Sequence, residues 1–421
     1  MGKLPFYTYS SGDEASTPIT SRRKRLTAVA LIVLLFFYAM TFGCARPPPP
    51  VVSLEHRVER ILKATPLIDT HVDLPILIRA KFHNQIYGSN FTFRTGLVGD
   101  VDIPRLESGH VGGMFWSVFM PCPASPDDFS DATYLSLVRE TFQQIDLVHR
   151  LVDEYPDVLA FATTPEAAME AHRNGKVASM IGVEGLHQIG NSPAVLRMYH
   201  QLGVRYITLT HVCNNKYADG AAALSGAKWG GLSDDGVKMV REMNRLGMMV
   251  DLSHVTDETM RDVLKVARAP VIFSHSSAYA ICPHPRNVPD DVLHKVKANN
   301  GVVQVNFYSL FVHCGEGRDP KDATLAMVAD HIQYIGELIG YEHVGLGSDF
   351  DGIDMAPKGL EDVSKYPDLL KELLARGVTD GQAGMIAGGN IIRVWKDVER
   401  VAQEMQAAET EILEEELDPL W

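Results

Sequence analysis

Short apolar runs rich in β-branched residues recur along the chain from residue 66 onward, and helix-like segments separate them. Runs of this length that alternate with helical segments are typical of repeated βα units. Eight such runs occupy residues 66–69, 112–119, 177–183, 205–209, 248–252, 270–273, 302–305 and 344–346. Eight strands alternating with helices predict an α/β fold, a closed parallel (β/α)8 barrel of the TIM type rather than an open sheet.

Helical periodicity is clearest in residues 134–152 and 235–246, where apolar side chains recur every three to four positions. Gly247 stands where the second of these helices would end. After the Pro-rich stretch 45–54, the sequence contains no second linker, low-complexity block or internal repeat. We therefore expect one catalytic domain over residues 55–408.

A basic cluster at residues 22–25 precedes the stretch 26–44, which is uncharged and mostly apolar over 19 residues. A stretch of this length can span a bilayer, and the positive-inside rule places residues 1–25 in the cytoplasm. This pattern predicts a single-pass type II membrane protein with a lumenal or extracellular catalytic domain. A cleaved signal peptide is the alternative, because Gly43 and Ala45 are small enough for a cleavage site.

The composition, with 46% hydrophobic and 22% charged residues over 421 positions, is that of a globular protein with a substantial core. The formal net charge is -14, and no Lys/Arg stripe is present, which argues against nucleic acid as a partner. Acidic residues concentrate near the end of the sequence. We expect residues 409–421 to form a solvated acidic tail.

Cysteine usage fits an oxidising compartment if four of the five cysteines pair, since Cys44 lies at the predicted membrane boundary. The remaining four permit three pairings and are Cys122, Cys213, Cys282 and Cys314. Their spacing is unlike that of CxxC zinc modules. The sequon that begins at Asn90 is a glycosylation site if the domain is lumenal.

Residues able to bind metals follow the predicted strands almost one for one. They are His71 and Asp73 after the first run, then Glu184, His211, His254, His275 and Asp349 after later ones. The carboxyl ends of barrel strands converge on one face, where such barrels place their active sites. We therefore expect these side chains to form one site.

Imidazole and carboxylate ligands without thiolates favour Zn²⁺, and also suit Mn²⁺ or Co²⁺. The set is too large for one catalytic ion, which indicates a two-metal site bridged by Glu184. His71 and Asp73 would complete one ion's ligands, and His254 with His275 the other's. Two such cations would lower the pKa of a shared water and give a bridging hydroxide nucleophile. The sequence contains neither a GxSxG elbow nor a convincing cysteine nucleophile.

From about residue 55 to about residue 400, the chain closely resembles the membrane dipeptidase (renal dipeptidase) family of zinc peptidases. The motifs that carry the resemblance are IDTHVD (68–73), GVEG (182–185), LTHVCNN (209–215), GLS (231–233), DLSHV (251–255), SHSSAY (274–279), RNVPDD (286–291), NFY (306–308), GSDFDG (347–352) and GGNIIRVW (388–395). Their number and their order make the resemblance specific.

The resemblance implies a (β/α)8 barrel with two zinc ions per chain, and it assigns roles to three further residues. His211 matches the histidine that contacts substrate and the tetrahedral oxyanion, and Asp349 matches the acid that handles the water and amine protons. Arg286 matches the arginine that holds the substrate's terminal carboxylate. The resemblance also implies a possible homodimer, and the disulfides Cys122 with Cys213 and Cys282 with Cys314.

These observations predict a zinc-dependent dipeptidase that acts on dipeptide substrates. One alternative is a specialised enzyme for cysteinylglycine groups left by glutathione conjugates. A lactonase or deaminase on the same barrel is another, less consistent with Arg286 and His211. The alternative from another class is a membrane-tethered binding protein with a dead barrel, which predicts loss of a ligand or of Asp349; all are present.

Overall fold

The computed structural model describes residues 20–42, 52–88 and 90–417. The chain divides into two compact units, residues 1–52 and residues 53–421. In the first unit, residues Thr20–Phe42 form helix α1. No helix among the described residues combines the length and the apolar character that crossing a bilayer requires. The end of the predicted anchor at residues 43–44 and most of the Pro-rich stretch, residues 45–51, lie outside the described residues.

Nine strands occur in the part of the chain that the structure describes. They are β1 (Leu67–Val72), β2 (Val111–Val118), β3 (Leu159–Phe161), β4 (Val177–Glu184), β5 (Val204–Thr208), β6 (Met249–Asp251), β7 (Ile272–Phe273), β8 (Val302–Val305) and β9 (Val344–Leu346). All paired neighbours are parallel, in the order β1-β2-β4-β5-β6-β7-β8-β9. A parallel bridge between Val72 and Phe350 joins the two ends of this series. The fold is a nearly closed (β/α)8 barrel, as predicted.

The short strand β3 was not predicted. It pairs only with β4, beside the barrel series, through Leu159, Ala160 and Phe161. Three residues are too few for an apolar pattern to distinguish a strand from a loop.

Fourteen further α-helices cover the second unit within the described residues. They are α2 (Leu54–Ala64), α3 (Leu74–Phe82), α4 (Ile103–Ser108), α5 (Asp131–Glu154), α6 (Pro165–Arg173), α7 (Pro193–Gln201), α8 (Asp234–Leu246), α9 (Asp257–Val266), α10 (Asp290–Asn299), α11 (Ser309–Val312), α12 (Leu325–Ile339), α13 (Tyr366–Ala375), α14 (Asp380–Gly384) and α15 (Asn390–Ala407). Helices α5 and α8 contain the two helices predicted from periodicity. Gly247 ends α8 with a left-handed φ of 85°, which glycine adopts without steric cost.

The core surrounds the strands on both faces. Every residue of β1, β2 and β4 is buried, which is typical of parallel strands covered by helices. One cluster brings Phe115 and Tyr206 from the strands against Trp395 of α15. Packing on both faces fixes the carboxyl ends of the strands. The loops that follow these ends contain most of the candidate site residues.

Part of the acidic tail contacts the barrel domain. The Glu415 carboxylate accepts hydrogen bonds from Ser192 Oγ at 2.5 Å and from the Ala194 amide at 2.9 Å, at the start of α7. Its neighbour Leu413 accepts a hydrogen bond from Arg197 through its carbonyl, at 2.9 Å. A carboxylate at a helix N-terminus pairs with free amides there. These tail residues therefore contact the barrel domain, whereas we expected the tail to be fully solvated.

Candidate active site

The predicted metal ligands lie at the carboxyl ends of the strands, as their sequence positions indicated. His71 is in β1, Glu184 is the last residue of β4, and His275 follows β7 by two residues. His254 and Asp349 each follow their strand by three residues. Because parallel strands of a barrel end at the same face, these side chains meet in one place.

Glu184 is at the centre of this cluster. Its Oε1 atom lies within 3.9 Å of four imidazole Nε2 atoms. The distances are 2.9 Å to His254, 3.5 Å to His71, 3.5 Å to His275 and 3.9 Å to His211. A carboxylate in this position can contact two neighbouring cations, which is what a bridging ligand requires.

Two more carboxylates adjoin Glu184. His71 Nε2 lies 3.3 Å from Asp73 Oδ2 and 4.0 Å from Asp349 Oδ1. Burial raises the pKa of Glu184 well above its usual range and raises the pKa of Asp349 to about 7. Burial opposes the charged form of His71, but Asp73 and Glu184 raise its pKa to about 10. Concentrated negative charge in a buried space favours a bound cation.

The residues present fit metal ions. His71 Nε2 and Asp73 Oδ1 are buried and have no hydrogen-bond partner within the protein. Burial lowers the pKa of His254 and of His275 well below the usual range, which keeps both imidazoles in the neutral form that binds metals. The cluster contains groups of three possible ligand atoms that lie within 4.8 Å of one another. One such group comes from His71, Asp73 and Glu184. Imidazole and carboxylate donors without thiolates suit Zn²⁺ and similar divalent ions.

Hydrogen bonds behind two of the imidazoles orient their rings. His71 Nδ1 lies 2.9 Å from the Tyr206 hydroxyl, which donates to the Thr70 carbonyl at 3.0 Å. The hydroxyl proton is therefore used, so His71 Nδ1 is the donor, and loss of the second proton on metal binding would free the lone pair of Nε2. His275 Nδ1 has a similar partner in Ser274 Oγ at 2.8 Å.

Asp69 connects the first and last strands of the barrel beneath the site. Its Oδ1 accepts hydrogen bonds from the amides of His71 and Ser348, both at 3.0 Å. The Asp349 amide in turn donates to the His71 carbonyl at 3.0 Å. Sequence reasoning did not identify Asp69, although a carboxylate two residues before His71 in an apolar strand is a usable signal.

The backbone at two site residues is left-handed. His254 has φ 68° and Asp349 has φ 71°, values that side chains other than glycine adopt at a steric cost. The His254 carbonyl accepts hydrogen bonds from the Ala221 amide at 2.7 Å and from Thr210 Oγ1 at 3.2 Å. The surrounding loops therefore hold the His254 backbone in this conformation.

A cavity of about 650 Å³ opens onto the cluster. Its polar lining includes Asp73, Glu184, His211, His254, Arg286 and Asp349. Arg286 is only 3% exposed, and its Nε and Nη1 atoms have no hydrogen-bond partner. The guanidinium carbon lies 5.2 Å from the centre of the Phe311 ring. A buried guanidinium with unused donors is suited to bind an anionic group that enters the cavity.

His211 lies at the edge of the cluster against Phe119, with ring centres 4.5 Å apart. Burial lowers the pKa of His211 well below its usual range, and its Nδ1 has no hydrogen-bond partner. A neutral imidazole with a free polar atom at the cavity wall can contact a bound ligand. The sequence did not indicate Phe119 as a residue of this site.

Two disulfides flank the site. Cys122 pairs with Cys213, which lies two residues after His211. Cys282, four residues before Arg286, pairs with Cys314. These are the pairs that the resemblance implied. The predicted metal ligands and substrate contacts meet at this end of the barrel, and their individual roles stay predictions. Asn90, the predicted glycosylation site, is exposed.

The family model described as membrane dipeptidase (peptidase family M19) matches residues 55–409. The chain belongs to the membrane dipeptidase family. The resemblance predicted from the motifs is thereby confirmed.

Among curated proteins, the chain is similar to the dipeptidase aclJ of Aspergillus oryzae. The two are 48% identical over 411 residues, which cover 95% of each chain. It is also 49% identical over 385 residues to the dipeptidase verJ of Clonostachys rogersoniana, covering 88% of this chain and 96% of that protein.

Solved structures agree with the barrel of the membrane dipeptidase family. A probable dipeptidase, PvdM, from Pseudomonas aeruginosa has the same fold, with a TM-score of 0.73 and 22% identity over 83% of this chain and 99% of its own. A metallopeptidase from Rhodobacter sphaeroides is 25% identical with a TM-score of 0.69, covering 79% of this chain and 99% of its own. That structure contains a phosphinate mimic of the dipeptide L-Ala-D-Ala.

Proposed function

We propose that the chain is a dipeptidase that hydrolyses the peptide bond of dipeptides with two Zn²⁺ ions. The observation that carries the proposal is the position of Glu184 Oε1, which has four imidazole nitrogens within 3.9 Å. Arg286, whose Nε and Nη1 atoms are buried without a hydrogen-bond partner, lines the same cavity. The names of the similar dipeptidases and the dipeptide mimic bound to the R. sphaeroides enzyme support the same reaction.

The residues would divide between two ions, with Glu184 as a ligand available to both. His71 and Asp73 would complete the ligands of one ion, and His254 and His275 those of the other. When bound, the zinc ions supply Lewis acidity and make water a nucleophile near neutral pH. The protein's part is to fix the positions and the protonation of these ligands.

Asp349 is the proposed acid and base. The Asn306 amide donates to Asp349 Oδ2 at 2.9 Å, which leaves Oδ1 facing the cluster, 4.0 Å from His71. Burial raises the pKa of Asp349 to about 7, the range in which a carboxyl group can both accept and return a proton. Its Oδ1 would take the proton from the attacking water and pass it to the leaving amine.

Arg286 and His211 are the proposed substrate contacts. The unused donors of Arg286 would hold the terminal carboxylate, since charge-assisted hydrogen bonds to a guanidinium are strong and directional. This contact favours substrates whose carboxylate lies one residue from the scissile bond. His211, 3.9 Å from Glu184, would contact the oxygen that gains negative charge during the reaction.

The proposal is tested by measuring zinc per chain and hydrolysis of a dipeptide panel that includes cysteinylglycine, before and after chelation. Glu184→Gln should lose zinc and activity together. Glu258→Gln is the matched control, because the Glu258 side chain on α9 is 62% exposed and is not one of the proposed site residues. A folded wild-type protein that binds no zinc and cleaves no dipeptide would instead support the binding-protein alternative.

We also propose that residues 26–44 anchor the chain in a membrane, with residues 1–25 in the cytoplasm and the barrel lumenal or extracellular. The basic cluster at residues 22–25 and the uncharged stretch after it support this orientation. In α1, Leu26, Leu31 and Leu34 are exposed. Two disulfides and an exposed Asn90 suit that compartment. Extraction of the protein from membranes by detergent but not by alkaline carbonate would support the anchor, and loss of a glycan in Asn90→Gln would support the lumenal orientation. Release of the protein into the soluble fraction by carbonate would contradict the anchor. The same detergent extract, analysed by light scattering, tests the expected homodimer.

A further inference from the structure

Asp251 lies beneath the cluster, at the end of β6, and is fully buried. Its Oδ1 accepts hydrogen bonds from the amides of Ser253 at 3.1 Å and Ser274 at 2.7 Å. Each of these serines directly precedes a predicted ligand, His254 or His275. One carboxylate oxygen therefore holds the backbone of both ligand-bearing segments.

The second oxygen of Asp251 begins a hydrogen-bonded chain to the cluster. Ser274 Oγ donates to Asp251 Oδ2 at 2.6 Å, and a hydroxyl group has only one proton to donate. Ser274 Oγ must therefore accept the hydrogen bond that joins it to His275 Nδ1 at 2.8 Å. His275 then carries its proton on Nδ1, and its Nε2, 3.5 Å from Glu184 Oε1, presents a lone pair.

We propose that Asp251 is a positioning residue of the metal centre, which fixes the tautomer of His275 through Ser274 and the backbone of His254 and His275 through two amides. The inference rests on the proposed function, because it requires that these histidines bind zinc. Partners behind ligand histidines commonly set the tautomer and raise the basicity of the metal-binding nitrogen. Here the partner is a carboxylate that acts through a hydroxyl.

A change of one atom separates this role from a merely structural one. In Asp251→Asn, the amide oxygen would stay with the two backbone N–H groups, and the amide nitrogen would face Ser274. The amide would then donate to Ser274 Oγ, whose proton would turn toward His275 Nδ1. His275 would carry its own proton on Nε2, where it blocks metal binding, while the volume of the side chain is unchanged.

Thr208 provides the matched control. Its hydroxyl donates to the same oxygen, Asp251 Oδ2, at 2.5 Å, but it is not part of the chain to His275. Thr208→Val therefore removes a hydrogen bond from the same carboxylate and leaves the link through Ser274 intact. Ser274→Ala is the second test variant, because it interrupts the chain without altering Asp251.

The experiment titrates the metal-free, full-length protein and these three variants with Zn²⁺ in competition with a chromophoric chelator. We expect wild type and Thr208→Val to bind two ions alike. We expect Asp251→Asn and Ser274→Ala to bind one of the two ions roughly 10- to 100-fold more weakly. The absorption spectrum of the Co²⁺-loaded proteins should change in the same two variants, since it reports ligand geometry rather than stability.

Circular dichroism and thermal unfolding of the metal-free proteins establish which variants fold. If Asp251→Asn does not fold, Ser274→Ala alone decides. Wild-type zinc affinity and a wild-type Co²⁺ spectrum in the folded variants would overturn the inference, and so would weakened binding in Thr208→Val equal to that in Asp251→Asn. Failure of wild type to bind zinc would instead contradict the proposed function itself, and the inference with it.

Discussion

The Nε2 atoms of His254 and His275 lie 2.9 Å apart. Burial lowers the pKa of both rings, so both are neutral, and the hydrogen bond to Ser274 leaves a lone pair on His275 Nε2. Two neutral imidazoles at this distance need a proton or a cation between or beside their nitrogens. The same cation would relieve the repulsion between the neighbouring carboxylates, and metal binding would then add to the stability of the domain.

Removal of metal should therefore lower the melting temperature. At free zinc 100-fold above the dissociation constant, one site adds about 2.7 kcal/mol to the free energy of unfolding. Differential scanning calorimetry of chelated and zinc-reconstituted protein measures the difference. Equal melting temperatures would show that the cluster is satisfied without metal. Glu184→Gln should remove most of the zinc-dependent increase.

Gly352→Ala should damage the site without disturbing the fold. A Cβ atom there would clash with Asp73 Oδ2 and would lie 2.9 Å from Asp349 Oδ1, so both carboxylates must move. We expect a loss of zinc and of hydrolysis, with a metal-free melting curve close to that of wild type. Gly381→Ala is the control, because a Cβ atom at Gly381 meets no atom within 4 Å. Full activity in Gly352→Ala would contradict the observed packing.

Arg286→Gln should reduce kcat/KM for dipeptides by roughly 10- to 100-fold, in line with the 1.5–3 kcal/mol typical of hydrogen bonds to charged groups. The diagnostic measurement compares a dipeptide with its C-terminal amide. Wild type should prefer the free carboxylate, and the variant should lose most of this preference because the guanidinium is absent. Arg268→Gln, in an exposed loop, should retain the preference. An unchanged preference in Arg286→Gln would place the carboxylate elsewhere.

Asp349→Asn should lower kcat by roughly 10²- to 10⁴-fold, the usual contribution of a general acid or base. Zinc content should stay near that of wild type, because the proposed ligands are unchanged. Kinetics and metal analysis of the same preparation measure both quantities. Loss of zinc in this variant would indicate that Asp349 is a ligand instead.

His331 should make stability depend on pH. It is buried on α12, where it accepts a hydrogen bond from the Ala278 amide at 3.1 Å and has Val312 O as its second partner at 3.0 Å. Burial lowers its pKa to about 4, with Asp330 the nearby charge that opposes this. The folded pKa is below the unfolded value, so this stability is present above pH 6.5 and is lost as pH falls toward 4.

The expected loss from His331 alone is roughly 3 kcal/mol, at 1.36 kcal/mol per pKa unit. Urea unfolding of wild type and of His331→Leu between pH 4 and 7 isolates this contribution, because other titrating groups are common to both proteins. The wild-type free energy of unfolding should fall more steeply toward acid than that of the variant. Parallel curves would contradict the assignment.

The sequence predicted the barrel and the convergence of the candidate ligands on one face, because both follow from patterns along the chain. Apolar runs mark the strands, and polar residues at their ends mark the site, as for Glu184 at the end of β4. It did not reveal Asp69, Asp251 or Tyr206, because a polar residue inside an apolar strand does not show which neighbouring strand supplies its partner. The central position of Glu184 among four imidazoles likewise depends on distances between strands, which sequence spacing does not contain.

The hydrogen bond from the Ser348 amide to Asp69 joins residues that are 279 positions apart in the sequence. His71 is on the first strand and Asp349 follows the last, so the cluster cannot assemble until nearly the whole barrel has been synthesised. A nascent or truncated chain therefore lacks part of this cluster. Under the proposed function, zinc uptake would mark finished folding, and peptides met earlier in biosynthesis would be protected from premature cleavage.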